Sequence, residues 1–355
     1  MAEGSSGIKI ARPVIAIDDR EDSSLSDGLI SLVITEDASG LYRCEATFGN
    51  WAATDASPDY LFFDRKKLDF GKGFKVKYDG DTLFDGKIMA LEGQFSDRGP
   101  RNIVVLAEDR FQDLRMTRRT RTFEDVSDSD VFSRIANDHG LSPNVDVTGP
   151  THKVLAQVNQ SDLAFMRERA RTLDAEIWMD GSKLFVKSHT GRDGGTRKMV
   201  YGRELYEFSV LADLAHQRTS VYVNGWDVSG KTGLQYEATD AVVGNELNGG
   251  VSGASILQKA FGARKESIAH TVPLTAQEAQ TEAESYFKLM ARRFVVGRGV
   301  CDASSKMRVG AYVELDAVGK LFNGKYYLTE VRHLFDFAHG IRTAFKVERP
   351  GLGKV

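Results

Sequence analysis

Gly73-Phe74-Lys75-Val76-Lys77, followed shortly by Leu83-Phe84-Asp85-Gly86-Lys87-Ile88-Met89, is the stretch that decides the fold. Apolar and charged residues alternate in Phe74–Tyr78 with a period of two, the mark of a half-buried strand. Tyr78-Asp79-Gly80-Asp81 supplies the turn, because Gly takes φ > 0 freely and Asp bonds its own backbone. Near the far end of the chain the pattern returns as Gly310-Ala311-Tyr312-Val313-Glu314-Leu315, then Leu321-Phe322-Asn323-Gly324-Lys325-Tyr326-Tyr327. In both places a Gly opens an alternating strand, and Leu-Phe-x-Gly-Lys leads into a second one. Shared turn chemistry produces such matches, since Asp-Gly and Asn-Gly hairpins are common; the alternative is an internal duplication. If the unit is duplicated, each chain presents two similar units, and a trimer of such chains would show six around its axis and could mate with a six-fold ring.

Outward from this stretch, Tyr42-Arg43-Cys44-Glu45-Ala46-Thr47-Phe48 alternates in the same way, and Gly-containing turns separate the runs. Residues 8–110 are therefore expected to form a small antiparallel barrel or sandwich. The pattern changes after Arg110. Asp128 or Ser129 caps a helix whose Val131, Phe132 and Ile135 share a face and which ends at Gly140. Ser161 caps a second, with Leu163, Met166, Ala170 and Leu173 on one face. A hairpin turned by Asp180-Gly181 follows. Strands resume at Arg218–Val223, and 229–262, rich in Gly, Ala, Ser and Asn, is expected to be a long loop. Thr275-Ala276-Gln277-Glu278 fits a capping box for a helix burying Ala279, Ala283, Tyr286, Phe287, Met290 and Phe294. Strands close the chain from Gly310 to Val347. The expected fold class is mainly β with an α+β insertion: two similar antiparallel β-barrel, tube-like domains, 1–110 and 201–355, flanking an α+β module at 111–200.

Composition narrows the function. The 355 residues include 34 Gly and only 7 Pro, which suits many turns and few rigid linkers. The 47 Lys and Arg against 50 Asp and Glu give no polycationic field, so nucleic acid and anionic membrane are disfavoured as main partners. Two cysteines, Cys44 and Cys301, are too few for a disulfide framework. Met1–Gly7 lacks the basic and apolar regions of a secretory signal and is expected to be a short disordered lead-in. Apolar runs such as Ile103–Ala107 fall far short of the ~20 residues that span a bilayer. The expectation is a soluble protein made in the cytoplasm.

A search for chemistry finds no catalytic constellation: HExxH, Walker A, GxSxG and a helix-opening GxGxxG are all absent from the sequence. Gly297-Arg298-Gly299 leads into Val300-Cys301 and reads as a turn or bulge, not a phosphate loop. The seven histidines are scattered. His333 and His339 with Asp336 suggest metal, but surface histidines at strand ends are the simpler reading. Carboxylates are plentiful, and none stands out as a glycosidase pair. No enzyme activity, cofactor or metal is expected. Arg115, Arg118, Arg119 and Arg121 form the densest cationic run, either a contact for an acidic partner surface or lumen, or a solvated connection. The repeated turn positions Leu83, Phe84, Gly86, Lys87, Leu321, Phe322, Gly324 and Lys325 are the other candidates.

Asp130-Val131-Phe132-Ser133-Arg134-Ile135-Ala136 with Gly140-Leu141, and Val158–Ala170, resemble a signature of phage late control gene D proteins and of the N-terminal part of VgrG. Tyr327–His333 through Thr343–Val347 is similar to that family's closing strands. The resemblance covers most of residues 10–350. It implies a baseplate hub, a homotrimer whose two tube-like barrels per chain give pseudo-six-fold symmetry between a hexameric inner tube and a trimeric spike. Its implied partners are itself, the inner tube protein, a spike protein and other baseplate subunits, with the tape-measure protein among the candidates. The chain ends at Val355 with no spike region, so the spike is expected to be a separate polypeptide. A tail-tip cell-wall hydrolase and a glycan-binding β-module are the competing functions.

Overall fold

A computed structural model of the chain describes residues 12–53, 58–97, 99–227, 230–269 and 273–353. The expected lead-in at Met1–Gly7, His270 and Val355 lie outside the described residues. One sheet of thirteen strands runs through the molecule. Twelve of its strands are numbered here: β1 (Val14–Ile17), β2 (Leu29–Asp37), β3 (Tyr42–Gly49), β4 (Gly73–Tyr78), β5 (Asp81–Gln94), β6 (Asn102–Glu108), β7 (Thr196–Val200), β8 (Leu205–Ala212), β9 (Val295–Asp302), β10 (Tyr312–Asp316), β11 (Gly324–Asp336) and β12 (Gly340–Arg349). The thirteenth, Arg20–Glu21, folds back on β1.

The first six strands lie side by side in the order β1-β4-β5-β6-β3-β2, and the second six in the order β7-β10-β11-β12-β9-β8. Numbered within each set, both orders are 1-4-5-6-3-2, so the connectivity is duplicated. Irregularities in the ladders fall at matching places. β5 slips against β6 between Ile88 and Ala90, as β11 does against β12 between Leu328 and Glu330. β2 slips against β3 between Leu29 and Ser31, as β8 does against β9 between Leu205 and Glu207. Bulges insert one residue and fix local register, so their coincidence gives a residue-by-residue equivalence. Gly71 donates to the Ile88 carbonyl and Gly310 to the Leu328 carbonyl, and both glycines take positive φ, 77° and 88°.

That equivalence corrects the repeat as the sequence displays it. Gly310 matches Gly71, not Gly73, and Tyr327 matches Lys87. Leu83, Phe84, Gly86 and Lys87 lie within β5, whereas Leu321 and Phe322 lie in the turn before β11, which Gly324 and Lys325 open. The sequence match is slipped by two residues. A slip of two leaves every side chain on its own face of a strand, which is why the alternation still agreed.

Each set has its own apolar core, one around Phe48, Phe74 and Phe84, the other around Val295, Leu328 and Phe345. Neither set closes on itself among the described residues: the expected barrels are two halves of one open, mainly β sheet, joined where β2 runs antiparallel to β11. The copies also differ, for β1 is antiparallel to β4 while β7 is parallel to β10. Gly297 and Gly299 sit inside β9, so they form neither turn, bulge nor phosphate loop. A Cβ on Gly299 would stand 2.6 Å from the Phe345 ring and 2.8 Å from the Glu207 carbonyl oxygen.

Between the copies lies the α+β module. The antiparallel pair Arg118–Ser127 with Thr151–Ser161 and a three-stranded sheet pack with α1 (Asp128–Asp138) and α2 (Asp162–Thr172). Ser127, one residue before the expected cap, closes a capping box with Asp130; Ser161 caps α2 as the spacing requires. The expected loop at 229–262 is, over its described residues 230–262, ordered structure. It contains a strand (Thr232–Thr239), a 3-10 helix (Asp240–Glu246) and α3 (Gly253–Phe261), capped by Ser252. Its small polar residues serve as caps and close contacts. Thr275 then caps α4 (Ala276–Arg292), whose Ala279, Ala283 and Phe287 are buried. This excursion connects β8 to β9, where the first copy has only the tight turn Ala38–Leu41 between β2 and β3. No helix among the described residues is long and apolar enough to cross a membrane.

Replacing Gly299 by Ala is expected to cost about 1–3 kcal/mol by overpacking, visible as a lowered Tm. Gly233→Ala, in a strand with nothing within 4 Å of the added Cβ, should leave Tm unchanged or raise it. Equal Tm for the two variants would count against the packing described for β9.

Candidate functional site

The residues that hold the copies and the module in one arrangement are charged and buried. Glu36, on β2, continues the inward face begun by Leu32 and Ile34 and is 4% exposed. Its carboxylate accepts from Arg308 Nε at 2.7 Å, Arg192 Nη2 at 3.1 Å and the Val309 amide at 3.1 Å. Burial pushes the Glu36 carboxyl up, but the Arg308 and Arg192 guanidiniums outweigh it and hold the group below its ordinary range. Arg192 reaches on to Glu176 of the module at 2.9 Å. Glu176 also receives the Tyr327 hydroxyl of β11 at 2.8 Å and faces His189 Nδ1 at 2.9 Å. One guanidinium therefore spans the first copy and the module, while Arg308 and Tyr327 bring in the second copy.

Two further clusters fasten the module to the excursion. Asp128 takes both nitrogens of the Arg169 fork, at 2.6 and 3.0 Å, and His152 Nε2 at 3.0 Å. The other nitrogen of His152 meets Glu278, on the first turn of α4, at 3.1 Å. Glu278 turns its second oxygen to the Leu274 amide, so the expected capping box is half borrowed for this contact. Arg292 of α4 is 2% exposed, bound to Asp174 of the module and to Glu246.

The sequence candidates fall as follows. Arg119 and Arg121 pair with buried Asp162, and Arg121 also with Asp138, so their charges are engaged inside the module. Arg115 pairs with Glu108, and Arg118 donates to the Asn159 carbonyl. The structure does not bring these four to one ligand. Tyr42 donates its hydroxyl to the Leu83 carbonyl, and Phe84 packs edge-on against the same ring, which gives Leu83 and Phe84 roles in the first core. Lys325 lies over the Tyr312 ring at 4.0 Å. His333 is buried, not a surface residue, and bonds Thr343 at 2.9 Å, while His339 is exposed beside Asp336. Among the described residues no group of three His, Cys, Asp or Glu could hold a metal. A cavity of about 440 Å³ between the sheet, α2 and α4 is lined by Arg171, Glu176, His189, Arg293 and Glu348. Glu176 on its wall is already bonded to Arg192, His189 and Tyr327.

Sequence reasoning missed Glu36, Glu176, Arg192 and Arg308. One signal was present: Glu36 falls on the apolar phase of the β2 alternation.

With this geometry the fold can be placed. The chain has the fold of phage-tail and injection-system proteins. It superposes on the 43 kDa tail protein of prophage MuSo2 from Shewanella oneidensis with a TM-score of 0.71 and 11% identity, covering 96% of this chain and 98% of that one. A tail protein from Neisseria meningitidis MC58 gives 0.69 and 11%, with 96% and 98% covered. The E. coli c3393 protein, a type VI secretion component described as similar in structure to T4 tail proteins gp27 and gp5, gives 0.60 and 10%, with 96% and 79% covered. A family model described as the Alg8 N-terminal domain matches residues 51–336, and the chain belongs to that family. That description names no reaction. No curated protein matches the chain in sequence.

Arg192→Leu leaves two buried carboxylates short of a partner and is expected to destabilise the protein by roughly 3–5 kcal/mol in denaturant unfolding. Arg192→Lys should recover little, because an ammonium cannot fork between Glu36 and Glu176. Acid should act in the same place. Burial lowers the His333 pKa from 6.5 to about 4. The unfolded chain therefore takes up this proton first, and stability is lost as pH falls from about 6.5 toward 4. Between pH 7 and pH 4 the parent should lose roughly 2–3 kcal/mol more than His333→Asn does. Identical pH profiles would show that His333 does not titrate in this way.

Proposed function

We propose that the chain is the structural hub of a phage-tail-like baseplate, a homotrimer whose six similar units form a pseudo-six-fold adaptor between a hexameric inner tube and a trimeric spike. The observation that carries this reading is the repeated strand order 1-4-5-6-3-2 with its coincident bulges. Two units of one design in a single chain let three chains meet a six-fold partner with near-equal surfaces. In this reading each six-strand set is a tube-like domain, 1–110 and 201–355, the second also taking in β7 from the end of the 111–200 module, the rest of which lies outside the ring. The similarity of fold to prophage tail proteins and to the type VI component supports the setting.

The partners on this reading are further copies of the chain, the inner tube protein, a spike protein and neighbouring baseplate subunits. Near-balanced charge suits a surface that meets several proteins. Arg118, at the exposed end of its strand, is the member of the cationic run best placed to meet an acidic partner. The hub acts by holding shape, with no turnover.

Light scattering on the purified chain is expected to give three times the monomer mass. A strict monomer at high concentration, with or without added spike protein, counts against the reading. A peptidoglycan-clearing assay on the same preparation should show nothing. Clearing that one Asp or Glu substitution abolishes would establish the hydrolase alternative.

A further inference from the structure

The two copies are joined in the chain by one strand pairing, and that pairing has an unfilled counterpart. β11 is long: Gly324–Tyr327 pairs with β10, and the remainder, Glu330–Phe335, runs antiparallel to β2. The register sets Phe335 opposite Leu32, Leu334 opposite Val33 and His333 opposite Ile34. In the duplicated numbering this is the fifth strand of one copy receiving the second strand of the other. The same two stations occur once more. β5 pairs with β4 only through its first half, so the matching edge at Ala90–Gln94 has no strand beside it among the described residues. Among the described residues β8 ends the sheet: it pairs with β9 on one side and, beyond a single bridge between Leu205 and Tyr201, with no strand on the other.

Exposure distinguishes the made junction from the open one. Phe335 is 2% exposed, and its counterpart by ladder equivalence is again a phenylalanine, Phe95, at 65%. Phe95 belongs to an uncovered aromatic group with Tyr60 and Phe63, at ring distances of 6.2 and 5.9 Å. On the other edge Leu32 and Ile34 are fully buried, whereas their counterparts Phe208 and Val210 are only half-buried and neighbouring Leu211 is exposed. Soluble proteins seldom leave an apolar strand edge bare, since it invites pairing.

We propose that the occupant of each open edge is a second copy of this chain: β8 of one protomer pairs antiparallel with Ala90–Phe95 of the next, in the register that β2 and β11 already use. The ladders then set Phe208 opposite Phe95, Ser209 opposite Gln94, Val210 opposite Gly93 and Leu211 opposite Glu92. The Phe63 and Phe95 rings stand 3.0–3.3 Å from where a Gly93 Cβ would lie, so Val210 is set against those rings, and Phe95 is buried against Phe208 as Phe335 is against Leu32. The contact is head-to-tail, so each protomer gives β8 and receives on β5, and the assembly is a closed ring or an open filament. This deepens the hub reading and rests on it for the number of chains, three; the register rests on the ladders alone.

The test is disulfide trapping in the full chain. Cys44 and Cys301 are buried, with burial pushing the Cys301 thiol up to about 12, so they do not compete. In Gln94→Cys/Ser209→Cys the two exposed positions face each other across protomers, and mild oxidation should convert most chains to covalent oligomers on a non-reducing gel. Gln94→Cys/Val210→Cys, one residue out of register, should remain largely uncrosslinked. Phe95→Asp, exposed in the single chain and hence harmless to its fold, should give a monomer with an unchanged circular dichroism spectrum. Covalent products ending at three support both register and ring; products extending beyond three support the register and overturn the trimer. A threefold mass with no trapping at Gln94 and Ser209, or with Phe95→Asp still trimeric, overturns this interface and leaves the trimer standing. A monomer throughout overturns both.

Discussion

The arrangement depends on a carboxylate that has nowhere to go. Glu36 lies at the end of β2, between β3 of its own copy and β11 of the second. A buried anion is tolerable only if it is paired and fully hydrogen-bonded. Arg308, Arg192 and the Val309 amide meet that demand, from two separate parts of the chain beyond residue 190. The β2–β11 pairing, the entry of the module and the path into β10 are thereby settled together. An apolar residue at this site would pack as well and would specify far less, since apolar contacts tolerate sliding whereas a forked guanidinium does not.

The duplication is visible in backbone irregularities more clearly than in residues. A bulge at Met89 and one at Thr329, or at Ile30 and Tyr206, share a structural cause but no side-chain type. Strand pairing is carried by main-chain groups that every residue possesses, so two copies can diverge in side chains while the ladder keeps its defects. The charged junction follows the opposite rule. Glu36 has Ala212 as its counterpart, so the ion network belongs to the covalent junction alone. The intrachain junction is fixed by charge, whereas the free edges carry aromatic and aliphatic groups.

Much of this was legible in the sequence for local reasons. Period-two alternation located the strands, Ser161 and Thr275 marked their helices, and Asp180-Gly181 marked its hairpin, because each depends on neighbours a few residues away. The repeat was also legible, but two residues out of register, since alternation cannot detect an even slip. Closure of each half into its own barrel was not supported, because β2 finds its second neighbour about 300 residues further on, and such pairing leaves no local trace. Residues 229–262 looked like a loop because small polar residues serve caps and close contacts as readily as coil. The junction site was the least legible. Only the phase of Glu36 hinted at burial, and its partners at 192 and 308 lie in segments with no distinguishing pattern.

The unequal connections between second and third strands have a consequence of their own. β2 reaches β3 through a bare turn, and β8 reaches β9 through a helical excursion that leaves from the corresponding end of the sheet. In the proposed ring the strands would repeat with every unit, while that end would repeat only with every second one. A neighbour that touches strands reads the short period, and a neighbour that touches the end reads twice that length. One polypeptide would thus present two spacings in such a ring.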